Sequence, residues 1–120
     1  MICDDERDLL LMFEIHLQAK YNVLTVDSGR ECIQKFIDEK YKGKNIDLIL
    51  LDYKLGDMLG DVVAHKIKEL NSVKIILISA YELDEGIVRD LIQKKYIVDV
   101  VKKPVQLEWL SEKIADNIGI

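Results

Sequence analysis

Several features are scarce in this chain of 120 residues, and each scarcity excludes a class of protein or site. Its two cysteines, Cys3 and Cys32, have no CxxC or Cys/His spacing, so we expect buried free thiols rather than a disulfide or a zinc site. The longest apolar runs, such as Ile46–Leu51, which is interrupted by Asp47, are too short to cross a membrane. No basic segment followed by an apolar one opens the sequence, and with the free thiols this predicts a cytoplasmic protein.

Positive charge is also in deficit. Lys and Arg number 17 against 22 Asp and Glu, which gives a formal net charge of −5. This balance predicts that the domain does not bind nucleic acid through its overall charge. No internal repeat or Pro/Gly/Ser-rich linker divides the sequence, and a second hydrophobic core would not fit, so we expect one domain over residues 1–120.

The sequence does contain a regular alternation of short β-branched runs and longer segments of helical period. The strand-like runs are Met1–Cys3, Val23–Val26, Ile46–Leu51, Lys74–Ile78 and Ile97–Val101. Four helical segments are Arg7–Lys20, Gly60–Leu70, Asp84–Lys95 and Gln106–Ile118. A fifth, second along the chain, is capped by Ser28 and runs through Ile37. Near-continuous Ile, Leu and Val in the central runs indicates strands buried on both faces. The alternation therefore predicts an α/β fold in which a doubly wound parallel sheet has helices on both sides.

Local signals predict several helix details. Ser28, with Glu31 three residues later, forms a capping-box pattern at the start of the second helix. Gly119 is the expected stop of the last helix. In the first helix we expect five apolar residues near one face: Leu9, Leu10, Phe13, Ile15 and Leu17.

Polar residues collect at the predicted carboxyl ends of the strands, which meet at one edge of a parallel sheet. The ends of the first, third, fourth and fifth strands carry, in order, Asp4 and Asp5, Asp52, Ser79, and Lys103. Clustered carboxylates repel one another unless a cation relieves them, and oxygen ligands without nearby His or Cys point to Mg²⁺. A carboxylate beside that ion can act as a nucleophile toward phosphorus, while a lysine and a hydroxyl neutralise and orient the phosphoryl group.

Each of these residues alone also has a purely structural interpretation. Asp4 and Asp5 could cap the first helix, Asp52 could be a turn residue, and the lysine could be a solvated charge. Asp57 and Asp61 are interpreted as turn and helix-start residues rather than ligands. The ordered combination, with each group at its own strand end, favours phosphoryl-transfer chemistry.

The ordered motifs resemble those of the receiver family of two-component signalling, across nearly the whole chain. The matching pieces are Cys3–Glu6, Leu48–Gly60, Ile76–Ala80 and Lys103-Pro104. The resemblance implies a flavodoxin-like three-layer sandwich, with five helices around a five-stranded sheet of order 2-1-3-4-5.

The resemblance also implies a phosphoacceptor and a metal site. Asp52 would accept the phosphoryl group. Mg²⁺ would be the cofactor, bound by Asp5, Asp52 and the backbone carbonyl of Lys54, with Asp4 acting through water. The domain would be a signalling module rather than an enzyme, although it would assist its own phosphorylation and dephosphorylation.

The remaining roles concern the switch and the partners. Ser79 takes the position of the switch hydroxyl and Lys103 that of the invariant lysine, whose bond to Pro104 would be cis, as in many members. A histidine kinase or a histidine phosphotransfer protein would be the phosphoryl donor. A downstream protein or a second copy would bind the face formed by Asp84–Lys95, Ile97–Val101 and Gln106–Ile118. Neither nucleic acid nor a membrane is an expected partner of this domain.

The sequence departs from the family pattern in three places, which comprise four residues. Gly56 replaces the usual proline four residues after the phosphoacceptor, which loosens that loop. Tyr96-Ile97 replace the usual Gly-Ala before the last strand. Val100 stands where an aromatic ring commonly swings inward with the switch hydroxyl, and Tyr81 or Tyr96 are the candidate substitutes.

The lifetime of an acyl phosphate depends on whether water can attack it in line. In the family, the residues two past the acceptor and two past the switch hydroxyl flank that water, and here they are Lys54 and Tyr81. A long basic side chain and an aromatic ring would hinder the water, which predicts slow decay.

Two alternatives of a different class stay open. A pseudo-receiver would use the same fold as an interaction module without phosphorylation, and a lack of Mg²⁺ binding would identify it. A nucleotide or flavin protein could share the topology. However, Asp4-Asp5-Glu6 replaces the Gly-rich loop of such proteins and would repel phosphate.

Overall fold

The computed structural model describes residues 1–119, so residue 120, the last of the predicted domain, lies outside the described residues. The strands are β1 Ile2–Cys3, β2 Thr25–Val26, β3 Leu48–Asp52, β4 Lys74–Ser79 and β5 Asp99–Lys102. The helices are α1 Arg7–Leu17, α2 Gly29–Tyr41, α3 Gly60–Leu70, α4 Glu85–Gln93 and α5 Leu107–Ile118. Neighbouring strands are parallel throughout, in the order β2-β1-β3-β4-β5. Both the predicted doubly wound sheet and the implied strand order are confirmed.

Strand β3 explains why the sheet needs a layer of helices on each side. All five of its residues are buried. Ile49 and Leu51 pack in the cluster under α2, α3 and α4, whereas Leu48 and Leu50 pack in the cluster under α1 and α5. Alternate side chains of a strand point to opposite faces, so an entirely apolar strand requires two cores.

Helix α1 differs from the prediction in where it ends and in the exposure of one residue that was expected near its buried face. It ends at Leu17 rather than Lys20, because the amides of Lys20 and Tyr21 turn back to the Leu17 carbonyl. Ile15 was expected near the buried face, but it is 58% exposed. Two residues along a helix correspond to about 200°, so Ile15 lies nearly opposite the buried Phe13.

The strand ends also differ from those expected, because an apolar pattern reports burial rather than hydrogen-bonded pairing. Val23, Ile46 and Ile97 pack against the cores, but they precede the ladders that begin at residues 25, 48 and 99. At the opposite ends, pairing continues further than predicted: Asp52 lies opposite Ile78, and Ser79 opposite Lys102. The polar residues of the candidate site are therefore held by the sheet itself.

Helix caps follow the local sequence closely. Ser28 accepts a hydrogen bond from the Glu31 amide at 3.1 Å, as one half of the predicted capping box requires. Asp84, predicted as the first residue of the fourth helix, is its N-cap, and its side chain accepts from the Gly86 amide. Gly119 ends α5 with φ of 76°, as expected of a glycine stop. Among residues 1–119, none of the helices has the length and apolar character needed to cross a bilayer.

Candidate functional site

Three carboxylates meet where β1 and β3 end. One carboxylate oxygen from each of Asp4, Asp5 and Asp52 lies within 4.8 Å of the other two. The parallel register that sets Cys3 opposite Leu51 brings the residues that follow them side by side. Asp4 and Asp52 are buried, whereas Asp5 is exposed.

Lys103 joins this cluster from the end of β5. Its Nζ lies 3.2 Å from Asp4 Oδ2, 3.3 Å from Asp52 Oδ1 and 3.4 Å from Glu6 Oε1. Its backbone amide donates to the Ser79 carbonyl at 2.8 Å, which ties the lysine to the end of β4. The peptide bond from Lys103 to the following proline is cis, as the resemblance implied.

The charges of these groups perturb one another. Burial, and then the neighbouring charge of Asp4, raises the pKa of Asp52 from 3.8 to about 6, although Lys103 opposes the rise. Burial likewise raises the pKa of Asp4. Burial alone would lower the pKa of Lys103, but Asp4 and Asp52 outweigh it and raise that pKa. The site therefore holds more negative charge than one lysine neutralises.

This donor set fits a hard divalent cation. Three of the side chains that converge are carboxylates, which Mg²⁺ prefers, and the charge of Asp4, after burial, raises the pKa of Asp52, a repulsion that a cation would relieve. Lys54, whose carbonyl is the fourth expected ligand, lies two residues past Asp52 and pairs with Leu59 in an isolated bridge. That bridge folds residues 53–59 into a loop beside the carboxylates.

Ser79 ends β4 next to these residues and is buried. Its hydroxyl donates to the Tyr81 carbonyl at 2.9 Å and accepts from the Tyr81 amide at 3.0 Å. The Nζ of Lys54 lies 5.2 Å from the centre of the Tyr81 ring. The two residues predicted to flank an attacking water are thus in contact with each other.

The two candidate substitutes for the missing aromatic residue are in different surroundings. Tyr81 is hydrogen-bonded through its backbone to Ser79. Tyr96 packs edge-on against His65 of α3, with ring centres 3.9 Å apart. Val100 packs against the core under α2, α3 and α4. Tyr81 is therefore the candidate that contacts the predicted switch residue directly.

Two residues near the site were not predicted to act there. Glu6 approaches Lys103, and its place directly after the acidic pair could have indicated it. Asp57 was interpreted as a turn residue, yet its carboxylate accepts from the amides of Gly29 and Arg30, each at 2.9 Å. Nothing in the local sequence indicates that long-range contact.

Comparison with known proteins supports the likeness in sequence. A family model described as the response regulator receiver domain matches residues 1–115. The response regulator ArlR of Staphylococcus aureus (strain Mu50) is 32% identical over 119 residues, which cover 95% of this chain and 49% of ArlR. The chain thus spans about half the length of the curated relatives it matches.

Solved structures agree with the fold. A CheY-like response regulator receiver domain protein from Methanospirillum hungatei JF-1 has a TM-score of 0.84 at 25% identity, covering 98% of this chain and 90% of that one. A chain of the CheX–CheY–BeF3–Mg²⁺ complex from Borrelia burgdorferi has a TM-score of 0.84 at 23% identity, covering 96% and 84%. The second likeness bears on the fold alone.

Proposed function

The chain belongs to the response regulator receiver domain family of two-component signalling, and we propose that it stores a signal as a phosphoryl group on Asp52. The observation that supports this most directly is the convergence of Asp4, Asp5, Asp52 and Lys103 at one edge of the sheet. The donor in this proposal is a phosphohistidine on a histidine kinase or a histidine phosphotransfer protein, and the exchange takes place in the cytoplasm.

Asp52 acts as the nucleophile. One of its carboxylate oxygens forms a bond to phosphorus while the P–N bond to the donor imidazole breaks, and the electron pair of that bond returns to the imidazole. Asp5, Asp52 and the Lys54 carbonyl would hold a Mg²⁺ ion, with Asp4 acting through water, and the ion would supply charge neutralisation and orientation. The cluster of three carboxylates supports this ion.

The ionisation of Asp52 and Lys103 suits these roles. A pKa of about 6 leaves Asp52 mostly ionised at pH 7 and above, which a nucleophile requires. Lys103 is held in its charged form by the carboxylates beside it, 3.3 Å from the oxygen of Asp52. Once the acyl phosphate forms, Lys103 donates to a phosphoryl oxygen and offsets the added negative charge.

The switch begins at Ser79. In the unphosphorylated protein its hydroxyl donates to the Tyr81 carbonyl. A charged phosphoryl oxygen is a stronger acceptor than a carbonyl, so phosphorylation draws the hydroxyl away and frees the segment before α4. This route begins at the backbone of Tyr81 and does not need an aromatic ring at Val100.

The readout surface in this proposal is the face formed by α4, β5 and α5. Several large apolar side chains are exposed in these elements or directly beside them: Ile87, Ile92, Val98 and Trp109. Repacking of the segment before α4 changes how this face is presented to a downstream protein or to a second copy. We propose no nucleic-acid partner for this domain.

The proposal is tested by intact-mass spectrometry after incubation with Mg²⁺ and acetyl phosphate. Wild type is expected to gain one phosphoryl group, about 80 Da, whereas Asp52→Ala gains none. The matched control is Asp47→Asn, which changes an exposed aspartate directly before the first residue of β3 and should behave as wild type. Full incorporation by Asp52→Ala would refute the assignment.

Acetyl phosphate is a small donor, so a phosphohistidine donor is tested alongside it. Failure with both donors, together with no Mg²⁺ binding by calorimetry, would favour the pseudo-receiver alternative. Mg²⁺ binding that Asp52→Ala weakens would favour the receiver even where acetyl phosphate is a poor donor.

A further inference from the structure

The loop of residues 53–59 is tied to α2 by one side chain. Asp57 accepts from the Gly29 amide through Oδ1 and from the Arg30 amide through Oδ2, both at 2.9 Å. These are the first two amides of α2, and a helix offers its first amides no acceptor of its own. Ser28 satisfies the third. The hydrogen bonds from Arg30 and Gly29 lower the pKa of Asp57, so its carboxylate stays ionised where the helix dipole favours negative charge.

The same junction is closely packed. A Cβ on Gly29 would lie 2.8 Å from Met58 Sδ and 2.9 Å from Val63 Cγ2, so Met58 of the loop and Val63 of α3 both pack closely against a residue that has no side chain. Gly56, in contrast, has open space around it, since a Cβ there would meet nothing within 4 Å. The side chain that fixes this half of the loop is therefore Asp57.

We propose that Asp57 is a positioning residue for the magnesium site, because it anchors the loop that carries the Lys54 carbonyl to the start of α2. Asp57 acts through the backbone of Lys54 and not by contact with the ion. It has this role only if the proposed function holds, since the Lys54 carbonyl matters only where Mg²⁺ binds. In this chain two hydrogen bonds from backbone amides at the start of α2 to the Asp57 carboxylate restrict the loop.

A purely structural role for Asp57 is the competing explanation, because a carboxylate at a helix start stabilises the helix wherever it comes from. Ser28 separates the two explanations. It caps the same helix from its own segment and donates nothing to the loop, so Ser28→Ala removes a cap without releasing residues 53–59. Asp57→Asn, which keeps the shape but only one acceptor oxygen, serves as the conservative variant.

The test measures Mg²⁺ affinity by calorimetry, and amide hydrogen exchange of residues 53–59 in the Mg²⁺-free protein. For Asp57→Ala we expect a dissociation constant about 10-fold higher, the lower end of the range for groups that position metal ligands. We also expect faster exchange at Lys54. Ser28→Ala should match wild type in both measurements, and Asp57→Asn should fall between. If Asp57→Ala does not fold, the Mg²⁺ affinity and amide exchange of Asp57→Asn are compared with those of Ser28→Ala to test the proposal.

Equal Mg²⁺ affinities for the Asp57 variants and Ser28→Ala would overturn the proposal and leave Asp57 as a cap only. Absence of Mg²⁺ binding by the wild type would overturn the proposed function, and the role of Asp57 with it. The two failures are distinguishable, because the second appears before any substitution is made.

Discussion

Lys54 and Tyr81 form a side-chain pair that bears on how long a phosphoryl group would stay on Asp52. The lysine Nζ lies 5.2 Å from the ring centre, and the two residues follow Asp52 and Ser79 at the same spacing. Tyr81 is 60% exposed, so the pair lies at the surface of the site. We infer that it hinders a water that would attack the acyl phosphate in line, which makes decay slow.

Tyr81→Ala and Lys54→Ala should each shorten the lifetime of the phosphorylated protein. Attack by water requires the pair to separate, so the barrier includes the energy of an exposed cation–π contact, about 0.5–1 kcal/mol, and its loss makes decay roughly two to five times faster. The double variant should decay little faster than either single one, because both remove the same contact. The measurement is loss of the phosphorylated mass over time, with Tyr41→Ala, an exposed tyrosine of α2, as the control. A wild-type half-life of seconds at room temperature would contradict the inference.

At the scale of elements, the connection between β3 and α3 depends on a close approach at Gly60. Its amide donates to the Tyr53 carbonyl at 2.5 Å. A Cβ there would lie 2.8 Å from the Asp52 carbonyl oxygen and 2.9 Å from Tyr53 Cα, both backbone atoms that cannot move aside cheaply. Gly56 is only four residues earlier, but a Cβ would meet nothing within 4 Å.

Gly60→Ala should therefore lower the free energy of unfolding by about 1–3 kcal/mol, as overpacking usually does. It should also weaken Mg²⁺ binding, because the loop of residues 53–59, which carries the Lys54 carbonyl, lies between Asp52 and Gly60. Gly56→Ala should be neutral or stabilise by up to about 1 kcal/mol, because it reduces the freedom of the unfolded chain. Urea denaturation measures the free energy of unfolding of both variants, and equal losses of stability in the two would contradict the steric explanation.

At the scale of the whole molecule, the buried carboxylates make folding depend on pH. The pKa of Asp52 rises from 3.8 to about 6 on folding, so between these values the folded protein binds more protons than the unfolded one. The stability that Asp52 contributes is complete below its unfolded pKa of 3.8 and is lost as pH rises through its folded pKa of about 6. Asp4, whose pKa is also raised, contributes in the same direction.

Asp52→Asn should consequently be more stable than wild type at pH 8 in Mg²⁺-free buffer, by about 1–3 kcal/mol. At pH 4 the two proteins should be similar, because the wild-type carboxyl is then largely protonated. Mg²⁺ at pH 8 should stabilise wild type more than the variant. Thermal unfolding at both pH values measures this, with Asp47→Asn as the control. A variant with no advantage at pH 8 would show that burial and the charge of Asp4 do not destabilise the ionised form of Asp52.

Much of the fold was predictable from short stretches of sequence. The alternation of strands and helices, the two-sided burial of β3 and the caps at Ser28 and Gly119 depend on residues within one turn or one strand of each other. The group of polar residues at the strand ends was predictable for a related reason. Parallel strands must end on the same edge, so Asp4, Asp52 and Lys103 converge once the strands are identified.

The tertiary structure alone decided the contacts between distant segments. Glu6 lies beside Lys103, 97 residues away, and Asp57 caps a helix that starts 28 residues before it. The exposure of Ile15 and the true strand ends also required the packed structure, since an apolar residue does not reveal which neighbour covers it. Local sequence therefore determined which elements form and which side chains they bring to the edge of the sheet. The packing of those elements against one another determined how the loop and the lysine are held there.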